Sequence, residues 1–141
     1  MIRLKVDVFS TLFSPPKVTA SQITERKIRG FRELERGWHY GEGVPIEQST
    51  LDNAIVLHQE AVRLGFLETD AFPGLNGEVM FTIYLDDHYL EFILEPNGNV
   101  TFYREKSDEE ISYQEGLSFQ NAKEKIEQFR MEKWAWFKEA D

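Results

Sequence analysis

Hydrophobic and polar positions are most regular between Phe72 and Arg104, where the chain reads FPGLNGEVMFTIYLDDHYLEFILEPNGNVTFYR. Three apolar runs separated by two tight turn signals predict an antiparallel meander. If Asp86 and Asp87 form a two-residue loop, Leu85 faces His88, Ile83 faces Leu90, Phe81 faces Phe92 and Val79 faces Leu94, and one side of the sheet becomes almost wholly apolar. The second turn, Pro96-Asn97-Gly98, suits a three-residue loop: proline presets the first turn position, and glycine takes the left-handed one that forms a bulge. That loop sets Leu94 against Val100 and Phe92 against Phe102, whereas a two-residue Asn-Gly loop would turn the third strand's apolar residues to the wrong side. The opposite side then carries Met80, Thr82, Tyr84, Tyr89, Glu91, Ile93, Thr101 and Tyr103, a mixture of aromatic and polar groups.

The same patterning places the surrounding elements. Ile2, Leu4, Val6 and Val8 alternate with Arg3, Lys5 and Asp7, which predicts a short strand pairing with an edge of the meander and ending at Ser14-Pro15-Pro16. A helix is expected from about Ala20 to Arg36, since Thr19 and Gln22 have capping-box spacing and Ile28, Phe31, Leu34 and Trp38 recur at helical steps. From Glu47 to Leu64 another helix puts Leu51, Ala54, Ile55, His58, Ala61 and Val62 on one face, with Gly65 placed to end it. That helix is expected across the apolar side of the meander. The polar run EKSDEEISYQEG, residues 105–116, reads as a solvated connector. A last helix is expected from about Ser118 to Lys138 with Ser118 as N-cap, and Trp134, Trp136 and Phe137 crowd its end, either sealing the second face of the sheet or meeting another chain.

Between the first two helices lies GWHYGEGVPI, residues 37–46, in which three glycines surround two aromatics and a histidine. One reading makes Trp38, His39, Tyr40 and Glu42 a ligand or partner site displayed on a loop. The other makes Trp38 a core plug, the glycines supplying left-handed conformations, and the usual burial of large aromatics favours it.

Composition narrows the class. A chain of 141 residues is expected to be a single α+β domain with a core that needs no crosslinks. It has no cysteine, so disulfides, thiol chemistry and thiolate metal sites are excluded. Charged residues interrupt the apolar start, and no stretch is long enough for a membrane span, so a cytoplasmic protein is expected. The net charge of −9 is uneven: residues 1–36 carry eight cationic against four acidic side chains, and the remainder eight against twenty-one. A basic segment folding onto its acidic remainder, or onto a partner subunit, is the simple account. A nucleic-acid contact through Lys17, Arg26, Lys27, Arg29, Arg32 and Arg36 is the sharper one, with no DNA-binding motif beside it.

No motif assigns a catalytic residue, a metal site or a cofactor. The three histidines, His39, His58 and His88, fall in different elements without metal-ligand spacing. His58 on an apolar stripe reads as a hydrogen-bonded core residue before it reads as a base. Asp86, Asp87 and His88 sit where turns favour acidic residues anyway. Phosphate-cradling glycine loops and nucleophile elbows are absent from the sequence.

One arrangement has a likeness elsewhere. A helix running into Gly37-Trp38-x-x-Gly41-Glu42-Gly43, then Pro45, an amphipathic helix, and Pro73, Gly77 and Val79 at the entry to a meander resembles a group of small bacterial proteins, over about residues 25–105. Those relatives carry a tryptophan where this chain has Ile83, Tyr84 and Leu85. The resemblance implies an α+β fold and brings no activity, catalytic residue or cofactor; some members resemble one half of two-gene modules of the toxin–antitoxin kind. The expectation is therefore a non-enzymatic interaction or accessory module, a homodimer or a binder of a protein partner, with Tyr84, Tyr89, Tyr103 and the loop residues Trp38, His39, Tyr40 and Glu42 as binding candidates. A small enzyme using His39, Glu42 and His58, or an antitoxin-like protein contacting nucleic acid through its basic first helix, are the alternatives.

Overall fold

The computed structural model describes residues 19–140, with side chains through residue 133. Its centre is a five-stranded antiparallel sheet in plain sequence order: β1 (Thr69–Pro73), β2 (Val79–Leu85), β3 (His88–Leu94), β4 (Val100–Lys106) and β5 (Glu109–Leu117). Helix α1 (Ala20–Gly30) passes through a 3-10 turn at Phe31–Glu33 to α2 (Gln48–Arg63), and α3 (Phe119–Ala140) ends the described chain. The fold is α+β with an antiparallel meander.

The derived register is the observed one. Leu85 pairs with His88, Phe81 with Phe92, Val79 with Leu94, Phe92 with Phe102 and Leu94 with Val100. At the second turn Glu95 donates its N–H to the Asn99 carbonyl at 2.9 Å, and Gly98, at φ +90°, takes the left-handed place. Because side chains alternate across a strand, one register fixes the whole inner face. Phe81, Phe92 and Phe102 are all buried there, their ring centroids 6.2 and 5.1 Å apart along the row. Helix α2 covers this face with Leu51, Ala54, Ile55, Leu57, His58 and Ala61, and α3 joins it through Ala122, Ile126 and Phe129, whose ring stacks on Phe66 at 5.4 Å. Full burial of each large apolar side chain contributes about 1.5–3 kcal/mol.

Two strands more than the expected three are present, and each has a physical reason for escaping notice. β1 is a short edge strand that pairs Ala71 with Phe81 and Pro73 with Val79; its proline is tolerated because an edge needs no donor on its outer side. The run read as a solvated connector is in fact the end of β4, a tight turn at Ser107 and Asp108, both at positive φ, and all of β5 but its last residue, Leu117. β5 is exposed on both sides, with two register irregularities against β4, so its carboxylates hide any alternation; charged residues on an edge also keep it from pairing with other chains.

Smaller differences concern the helices. The capping box holds: Thr19 Oγ1 accepts from the Gln22 N–H at 3.2 Å and the Thr19 N–H donates to Gln22 Oε1 at 2.9 Å. The helix stops at Gly30 rather than Arg36, since glycine in a helix costs up to about 1 kcal/mol and Phe31 turns into the core. On α2, Leu57 is buried and Val62 lies at the rim, so the buried stripe is rotated from the expected one. Ser118 caps α3, its Oγ accepting from the Asn121 N–H at 3.1 Å. The strand expected over residues 2–8, Lys17, and the side chains of Trp134, Trp136 and Phe137 lie outside what is described.

Candidate functional site

Alternation along the strands that buries the phenylalanines sends their neighbours to the outer face, and there the tyrosines gather. Tyr84 and Tyr89 are register partners with ring centroids 5.3 Å apart; Tyr89 and Tyr103 are 6.3 Å apart on adjacent strands. Tyr113, paired with Tyr103, extends the row onto β5. The row shares a chemical unit: Tyr89 donates to Glu91 at 2.7 Å, Tyr103 to Glu105 at 2.5 Å and Tyr113 to Glu115 at 2.5 Å. Each pair is two residues apart on one strand, the separation at which side chains share a face. In sequence the unit is Tyr-x-Glu, repeated on three successive strands. That repeat is the sequence signal that marks Tyr113, Glu105 and Glu115.

These bonds shape the electrostatics. Burial and the neighbouring Glu91 carboxylate hold the Tyr89 phenol well above its ordinary range. The hydrogen bond to Glu105 pushes Tyr103 up to about 12, and that to Glu115 raises Tyr113. The phenols stay neutral, with faces available to a cation, while the carboxylates keep lone pairs free beyond the one the phenol uses. At the β2–β3 end the face opens into a shallow cleft of about 480 Å³, lined by Tyr84, Tyr89 and Tyr103 with Asp86, Asp87, His88, Glu91, Glu105 and Asp108. Asp87 is held by the Ser107 hydroxyl at 2.7 Å, which keeps its carboxyl below the usual carboxylate range. Among the described residues no group of three histidine, aspartate or glutamate side chains converges to hold a metal ion.

The loop candidates stand elsewhere. Trp38 is half-buried and folds over its own loop instead of plugging the core, its indole N–H donating to the Val44 carbonyl at 3.2 Å. Gly43, at φ +99°, makes room for it: a Cβ there would lie 2.5 Å from Trp38 Nε1. His39 and Glu42 form an isolated bridge, and Tyr40 is 96% exposed at positive φ. The Val44 N–H donates to the Leu75 carbonyl, which fastens the loop to the β1–β2 turn, at the opposite end of the strands from Asp86 and Asp87. The seven binding candidates therefore divide into two separate groups.

His58 belongs to neither group. Its ring is 3% exposed, stands edge-on to Phe81 at 5.6 Å, and makes no hydrogen bond through either nitrogen; burial lowers its pKa, with Glu25 opposing. The cleft it lines, between α1 and α2, contains none of residues 37–46. The expected hydrogen bond of a core histidine is absent in this structure.

Three of the basic residues of the first helical segment form ion pairs within the chain. Lys27 Nζ lies 2.8 Å from Asp70 Oδ1, Arg29 is 3.6 Å from Glu25, and Arg32 is 3.1 Å from Glu33. On the inner face, Arg104 rests 4.7 Å over the Phe129 ring, pairs with Glu132 at 2.8 Å and approaches His88 Nδ1 at 3.3 Å. A guanidinium can only donate, so His88 carries its proton on Nε2.

Fold and site together define an α+β domain with one sheet face packed by helices and the other lined by tyrosine–glutamate pairs. Compared with known proteins, the chain matches no family model, and no curated protein or solved structure is significantly similar to it. No helix among the described residues is long and apolar enough to cross a membrane.

Proposed function

We propose that this is a cytoplasmic, non-enzymatic interaction module that binds a protein partner on the outer face of its sheet. The observation that carries the reading is the row of tyrosines held on regular strands, with Tyr84 39% and Tyr113 53% exposed. Tyrosine supplies large amphipathic contact area at low conformational cost, and a rigid sheet preorganises it. Self-association through the same face is disfavoured by charge, because a two-fold contact would bring together two copies of a face that carries Glu91, Glu105, Glu110 and Glu115. The loop tip at Tyr40 is a second exposed aromatic, too far along the strands to share one small ligand with the tyrosine row.

The test is affinity capture from the host lysate with the wild type and with a Tyr84→Ser/Tyr113→Ser variant, alongside light scattering. A partner retained stoichiometrically by the wild type and lost by the variant is expected. A monomer with no partner at micromolar concentration, or capture indifferent to both substitutions, overturns the proposal.

A further inference from the structure

We infer that the partner presents an extended segment with arginine or lysine at alternate positions, lying across the strands so that successive cations meet successive tyrosine–glutamate pairs. The inference rests on the outer face being the binding face, and adds what that face recognises.

Charge comes first. No lysine or arginine of the described strands points to the outer face: Arg104 and Lys106 belong to the inner set, opposite Leu90 and His88. The carboxylates are not merely abundant but placed at a cost. Glu105 and Glu110 are register partners, and like charges directly opposite one another destabilise an antiparallel pair. A cation bound between them removes that repulsion, so the face is more favourable occupied than empty.

The molecule also displays the recognition it offers. At the β1 edge of the same face, Lys27 reaches over from α1 and sets its ammonium 4.3 Å above the Phe72 ring and 2.8 Å from Asp70 Oδ1. Asp70 and Phe72 are two residues apart on one strand, as are Tyr103 and Glu105. One aromatic-and-carboxylate pair is thus filled from within the chain; by the same chemistry the others suit cations from outside it. Tyrosine rings stack guanidinium planes better than ammonium groups, which favours arginine.

An extended segment meets the spacing of the row. Tyr89 and Tyr103 are 6.3 Å apart. Alternate side chains of an extended segment are about 6.6 Å apart on one side.

The experiment uses the full chain and three synthetic peptides titrated by calorimetry over a salt series: alternating arginine and serine, a block isomer with the arginines contiguous, and alternating glutamate and serine. The alternating arginine peptide is expected to bind about tenfold tighter than the block isomer, with the glutamate peptide silent. Tyr113→Ala and Glu110→Gln, both at exposed positions, are each expected to weaken it several-fold with an unchanged circular dichroism spectrum, whereas Tyr113→Phe retains binding because the ring suffices. Equal binding of the two arginine peptides, insensitivity to Tyr113→Ala, or no binding of either overturns the inference. If a captured partner depends on Tyr84 and Tyr113 while the peptides do not bind, only the cationic segment is lost and the interaction reading stands.

Discussion

The inner and outer faces of this sheet are made by the same strands, one residue out of step, and they solve opposite problems. Inside, Phe81, Phe92 and Phe102 sit at or below 4% exposure beneath two helices. Outside, Tyr84 and Tyr113 keep a third to a half of their surface, and every tyrosine of the β3, β4 and β5 row is tied to a carboxylate. The inner face supplies burial, the dominant favourable term in folding. The outer face contributes less of that: Thr82 and Thr101 are buried on it, but Tyr84 and Tyr113 stand exposed. Its ionisable groups differ too: the inner face suppresses the charging of imidazoles, the outer face that of phenols.

The largest test of this division is mechanical. Phe92→Ala removes the ring that touches both Phe81 and Phe102, and is expected to cost about 3–5 kcal/mol, the range for deleting a buried aromatic. Tyr113→Ala on the outer face is expected to stay within about 1 kcal/mol. Urea unfolding measures both; comparable losses at the two sites would mean that the outer face is structural, and the functional proposal would lose its basis.

The division between the faces was largely legible in the sequence because two turns pin it. Asp86-Asp87 and Pro96-Asn97-Gly98 fix loop length, loop length fixes register, and register decides which side each residue occupies. Signals fail where a residue's surroundings are not periodic. β5 touches its neighbour on one edge only and is wet on both faces, so Glu109, Glu110 and Glu115 stay solvated there and mask Ile111, Tyr113 and Leu117. Trp38 looks like core by its size, yet its packing is set by Gly43 and Val44 within its own loop. The candidate site was half visible: Tyr84, Tyr89 and Tyr103 follow from register, but Tyr113 required recognising β5. The separation of the loop from the tyrosine row is long-range geometry that spacing does not encode.

An intermediate test uses the acid side. His58 and His88 are both buried on the inner side, and burial lowers the pKa of each; Lys133 and Arg104 lower His88 further while Asp87 opposes, and Glu25 opposes at His58. A lowered folded pKa means the unfolded chain takes up the proton first, beginning near its ordinary 6.5. Stability is therefore full above that pH and falls as pH drops from there through the folded values. His58→Leu is expected to make this decline shallower. At pH above 7 it should leave stability unchanged or higher, because neither ring nitrogen has a hydrogen bond to lose. A decline of unchanged slope in urea midpoints against pH would place the titrating group elsewhere.

The smallest effect belongs to the outer face and lies at the alkaline end. Raised folded pKa values mean that the unfolded chain releases its phenolic protons first, near 10, so the stability these tyrosines contribute is present below that pH. It is lost as pH climbs through the folded values, about 12 for Tyr103. The leading cause at Tyr103 is the hydrogen bond to Glu105, with burial and charge adding to it. Glu105→Gln keeps an acceptor but removes the negative charge that opposes the phenolate, and also removes the repulsion with Glu110. In a phenolate absorbance titration, one of the five tyrosines is expected to move toward its ordinary range in this variant, with urea stability at neutral pH within about 0.5 kcal/mol of wild type. Tyr113→Phe should delete one phenol from the same curve and leave the others in place. A titration curve unmoved by Glu105→Gln would show that the carboxylates do not govern the phenols in solution.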